Sequence, residues 1–252
     1  MISFLVLFSP IYIIGLINSG NLIDAKHIIA DYLYIKGKVA YDAPLWFFIC
    51  LFEVLVIAYF IRLHQMNKQI VIVIALISFL TGFIMYQYVY FPWFGLNKAI
   101  LALGFFCAGY GLREELRMMT TNLPVFLIMI VLWLCFGVFL NGKVSMYGNS
   151  LGKYWYFVLS GLTGSCVFIY ISNILAHVSY IRDYAKWTIF IVSSHYIFVT
   201  IFRHIANYIG FEYTFLYDVL SFLFTLAILW LYRYASIFVD RYVPLLNGKR
   251  KL

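Results

Sequence analysis

Three ionisable side chains stand inside runs that are otherwise apolar: Glu53 in "LWFFICLFEVLVIAYF", and His195 and Arg203 in "TIFIVSSHYIFVTIFRH". A carboxyl and an imidazole can take or give a proton near neutral pH when their surroundings are tuned. A guanidinium can hold an oxyanion as it forms. Glu53 falls nine residues into its run, about 13 Å along a helix at 1.5 Å per residue. Residues eight apart on a helix differ by about 80° in direction and residues nine apart by about 180°. Arg203 can therefore share a cavity with His195, while His204 points away and, with Asp218, reads as interfacial. The functional reading is a polar chamber of Glu53, His195 and Arg203 that opens to one side. The structural reading pairs Glu53 with Arg203 as an ion pair and makes His195 a bonding partner between helices, since buried polar groups also hold helices together.

The elements that must position these groups belong to a membrane protein. Apolar residues make up 65% of the 252 and charged residues 11%. Soluble domains carry about a quarter charged residues and under half apolar. Crossing a hydrocarbon layer of about 30 Å takes roughly 20 helical residues. Eight stretches reach or approach that length: about 2–17, 44–63, 70–90, 97–112, 122–140, 154–177, 187–209 and 214–239. The expected fold is all-α, a polytopic transmembrane helix bundle forming a single domain over 1–252. Gly104, Gly109 and Gly111 favour close packing of the short fourth run.

Charge orients the bundle. With both termini on one side, Arg62, Lys68, Arg113, Arg117, Arg182, Lys186 and the basic tail share that side, against Lys26, Lys36, Lys38, Lys98, Lys143 and Lys153 on the other. The excess places both termini in the cytoplasm. The aromatic run "YQYVYFPWF" and the loop 141–153 then lie outside, and "LREEL" at 112–116 reads as a solvated inner turn. The net charge of +8 is thereby accounted for by orientation and a lipid bilayer, with no nucleic acid as partner. Cys50, Cys107, Cys135 and Cys166 all fall in apolar runs without metal or redox spacing. No P-loop, nucleophile elbow, zinc-protease helix or dinucleotide turn occurs.

Three segments, in order, resemble the acyltransferase-3 group of membrane acyltransferases, in its branch of fucose 4-O-acetylase-like or exopolysaccharide O-acetyltransferases. They are "APLWFFICLF" (43–52), "LNGKVSMYGNSLGKYWYFVLSGLTGS" (140–165) and "AKWTIFIVSSHYIF" (185–198). The third departs from the family pattern at Ala185, Trp187 and Thr188, where that pattern has glycine, asparagine and serine. The resemblance implies transfer of an acetyl or similar acyl group from a cytoplasmic thioester, acetyl-CoA being the expected donor and no cofactor being held, to a hydroxyl of a surface glycan or lipid-linked sugar. It implies His195 and Thr188 in the cavity wall, Trp46 stacked on a sugar, and Asn141 and Asn149 bonding hydroxyls at the outer mouth. Trp46 read alone is also an interfacial anchor, and the asparagines are also turn formers. The family pattern begins with two further spans carrying a basic residue and a histidine, its acyl-transfer base. These 252 residues contain no counterpart, so on their own they are expected to be inactive. The rival readings are a lipid-linked glycan flippase, polymerase or other transporter built around the same chamber, and a structural subunit.

Overall fold

A computed structural model describes residues 45–89, 95–119, 122–146, 148–178, 184, 188–210 and 215–242. The regular elements among them are helical: α1 Leu45–Phe60, a 3-10 turn Leu63–Gln65, α2 Lys68–Gln87, α3 Leu96–Gly111, α4 Arg113–Met119, α5 Leu123–Leu134 continuing as a π-helical turn Cys135–Phe139, α6 Tyr154–Leu175, α7 Thr188–Tyr208 and α8 Phe215–Tyr242. The expected span at 2–17, the aromatic run beyond Val89 and the basic tail lie outside the described residues.

Among the described residues, three helices are long and apolar enough to cross a membrane: Lys68–Gln87, Tyr154–Leu175 and Val219–Val239, with mean hydropathies of 2.3, 1.7 and 1.7. Trp46–Phe60, Leu96–Gly111 and Leu123–Phe139 are apolar but shorter. Their ends are set locally. Arg62 in the left-handed region closes α1 into the 3-10 turn, and Gly95 in the same region opens α3. Asn67 and Asn122 cap α2 and α5, accepting from the Ile70 and Val125 amides at 2.9 and 3.4 Å.

The described chain divides into two compact units, one holding α1 to α6 within Trp46–His177, the other holding α7 and α8. In the first unit α2 and α3 form the tightest pair. Cys50, Val54 and Ala58 of α1 bury against Val71 and Ala75 of α2 and Ala99, Leu103 and Cys107 of α3. A second core joins Phe79, Leu101, Leu151, Tyr154 and Val158, so α6 enters packed on the α2–α3 pair, and α5 lies along α6. The outward face of α2 carries Val73, Leu76, Ile77, Leu80 and Ile84, each about half exposed. Such a face is unfavourable in water by about 25 cal/mol per Å² and at home against lipid tails. In the second unit Phe198 and Phe202 of α7 meet Tyr232, Tyr217 and Phe224 of α8 through ring contacts.

Two expectations change. "LREEL" belongs to a helix, α4, whose first turn carries Glu114 and Glu115, where the helix dipole favours acids. Lys68 pairs with Glu115 and holds that partly buried carboxyl below its usual range. The three glycines of α3 also differ from one another. A Cβ on Gly104 would sit 2.7 Å from the Phe79 ring, whereas one on Gly109 meets nothing within 4 Å. Gly104→Val is therefore expected to cost about 1–3 kcal/mol through overpacking. Gly109→Ala should be neutral or stabilising by about 0.5–1 kcal/mol, from helix propensity. Melting of the two purified variants in detergent reads the contrast.

Candidate functional site

Helix α1 carries a polar stripe. Trp46, Cys50 and Glu53 recur at i, i+4 and i+7, which places them on one face, and that face is the one turned to α3, because Cys50 and the adjoining Val54 are buried there. Lys98 meets the stripe. Its Nζ lies 5.2 Å from the centroid of the Trp46 ring, within the range at which a cation is attracted to an indole face. Lys98 is only 9% exposed and belongs to the first turn of α3, at the start of the expected run 97–112. Gly95 starts that helix three residues earlier, which carries the ammonium inward beside α1 rather than out into a loop. "GLNKAILALG" reads as a helix start with a lysine inside its first turn.

Glu53 stands ~12 Å along α1 from Leu45 by helical rise. Its Oε2 is buried and no donor among the described residues reaches it. A carboxyl oxygen left so is costly, which makes Glu53 a candidate for function.

The loop 141–153 closes the end of the first unit at which α2 finishes and α3 begins. The Asn141 carboxamide is buried; its Nδ2 donates to the Leu151 carbonyl at 3.2 Å and its Oδ1 accepts from the Lys153 amide at 2.7 Å. Ser145 and Ser150 pair through both backbone bonds, at 2.6 and 2.9 Å. Asn149 turns the chain there with φ 52°, and Gly152 with φ 65°. Tyr86 of α2 accepts from the Leu151 amide at 3.2 Å and donates to the Gly152 carbonyl at 3.4 Å. Tyr154 donates to the Phe79 carbonyl at 2.7 Å, fastening the start of α6 to α2. Asn141 thus shapes the loop from within, whereas the partly buried Asn149 lines a small pocket beneath it.

The remaining sequence candidates lie in the second unit. Thr188 opens α7 and its exposed hydroxyl donates to the Tyr184 carbonyl at 3.5 Å. His195 and Arg203 occupy the middle and later turns of α7, and their side chains lie outside what the structure describes. His204 is exposed. The chamber of Glu53, His195 and Arg203 draws on residues of both units and stands as an expectation of the sequence. What the structure brings together is Trp46, Cys50, Glu53 and Lys98, with Asn149 at the loop above. No protein-family model matches the chain, and neither a curated protein nor a solved structure shows significant similarity to it.

Proposed function

We propose that the protein is an integral membrane O-acyltransferase that moves an acetyl or similar acyl group from a cytoplasmic thioester to a hydroxyl of an extracytoplasmic glycan. The observation that carries this reading is Glu53: a carboxyl with an unpartnered buried oxygen, on the helix of the "PLWFFICLF" segment, among side chains otherwise suited to lipid. The resemblance of three ordered segments supports the reaction class, and the lipid-suited faces support the location. In this reading about eight helices cross the plasma or inner membrane, both termini face the cytoplasm, and the loop 141–153 lies outside.

The chemistry asked of the residues is limited. The acceptor oxygen attacks the thioester carbonyl carbon, its proton passes to a base, and the carbon–sulfur bond breaks to leave a thiolate that is then protonated. Proton transfer by a placed side chain contributes about 10²–10⁴-fold. Histidine has the right intrinsic pKa for that task, and His195, set in an apolar run of the third resembling segment, takes it here in place of the family histidine that these 252 residues lack. Arg203 supplies charge for the oxyanion. Glu53 is a second group able to hold a proton, Trp46 offers a ring face to a sugar, Thr188 adds a hydroxyl, and Asn141 keeps the loop 141–153 in shape beside Asn149.

Deletion of the gene is the direct test in the organism that carries it. The expected result is a surface glycan present in normal amount but missing base-labile O-acyl esters, restored by the wild-type gene. Loss of the glycan itself, with lipid-linked precursor accumulating inside, would instead indicate a flippase or polymerase.

A further inference from the structure

Beneath the loop 141–153, where α2 ends and α3 begins, Tyr86, Asn97, Lys98 and Asn149 line a cavity floored by Gly82 and Leu101. Its inner space is about 10 Å³, roughly that of one water-sized oxygen. The hydrogen-bond inventory of its wall is uneven. The Tyr86 hydroxyl is already committed to the backbone at Leu151 and Gly152. Asn97 presents the opposite case: its Oδ1 is buried and receives no donor among the described residues. Lys98, itself buried, brings a positive charge to the same wall.

A group that completes this wall must donate a proton to Asn97, must fit the space of one oxygen, and must tolerate an ammonium beside it. A carboxylate has no proton to give, and a phosphate is too large for the space of one oxygen. An amine would be repelled by Lys98. An alcohol meets all three conditions, because one hydroxyl both donates and accepts. We propose that this cavity is a subsite for a single hydroxyl of the glycan acceptor, distinct from the hydroxyl that is acylated, with Asn97 as its acceptor and Lys98 and Asn149 beside it. The assignment rests on the acyltransferase reading for the identity of the ligand, and it concerns binding alone.

The test is a binding measurement, so that its failure and the absence of acyl transfer are separate results. Methyl hexosides and their monodeoxy forms are titrated, by saturation-transfer NMR, onto the purified full chain. The wild type is expected to lose about tenfold in affinity for one particular monodeoxy sugar, as sites that bond a hydroxyl reject analogues lacking it. Asn97→Leu should weaken the parent sugar by a similar factor and abolish the discrimination against that deoxy form, while Asn97→Asp retains it. Asn149→Gly, which removes the side chain and keeps the left-handed backbone, should reduce the parent's affinity while its melting temperature stays that of the wild type. Binding of no hexoside by the wild type, or the same deoxy ratio in wild type and Asn97→Leu, would overturn the subsite and leave a cavity for water.

Discussion

Glu53→Leu is expected to make the protein more stable and inactive at the same time. The wild-type carboxyl has a buried oxygen that no described donor reaches, and an unsatisfied buried polar group costs about 1–3 kcal/mol. Leucine removes that cost and suits a helix whose neighbouring Cys50 and Val54 enter an apolar core. Thermal melting in detergent should therefore rise. Acyl transfer in membranes should fall about 10²–10³-fold, the usual weight of a proton-transferring group. Glu53→Gln separates shape from ionisation. It should lose activity to a similar degree while its melting temperature stays near the wild type. Opposed signs for stability and activity are what a residue retained for function produces. If both variants melted lower and transferred acyl groups at the wild-type rate, Glu53 would be a structural group.

Gly152→Val is expected to be the most damaging change to the fold of the first unit. Its φ of 65° lies where a branched side chain costs about 1–2 kcal/mol. Any Cβ there also falls on the Asn141 carboxamide, whose two bonds to Leu151 and Lys153 hold the loop. Displacing that amide strands two backbone groups, so the expected loss is on the order of 3 kcal/mol or more. Gly142→Ala is the control, since a Cβ there meets nothing within 4 Å, and it should melt like the wild type. Equal melting temperatures for Gly152→Val and wild type would refute the described packing of the loop.

The helices were legible because long apolar runs stand out by length and composition: α2 and α6 match the runs at 70–90 and 154–177 closely, and α8 begins within a residue of 214 but runs on to Tyr242. Seven of the eight expected runs have a helical counterpart, and the first lies outside the described residues. The closeness granted by Gly104 was legible from its type. Which of the α3 glycines faces a neighbour was not, because helical phase relative to another helix is a tertiary property. Lys98 shows the same limit more sharply. The sequence puts Lys98 at the start of the run 97–112 and counts it among the charges of one side, but only the packing of α1 brings Trp46 over it. Asn141 and Asn149 were legible as polar loop residues. Their different uses, one spent on the loop and one lining a cavity, depend on backbone bonds that no sequence pattern encodes.

One measurement tests the proposed reaction most directly. Membranes from the native organism are incubated with acetyl-CoA radiolabelled in the acetyl group, in parallel with membranes from the deletion strain and from strains carrying Glu53→Gln or His195→Ala. The predicted result is label appearing in glycan as base-labile ester, dependent on the gene and lost in both variants. Label remaining in acetyl-CoA at equal levels with and without the gene would contradict acyl transfer as the function of this protein.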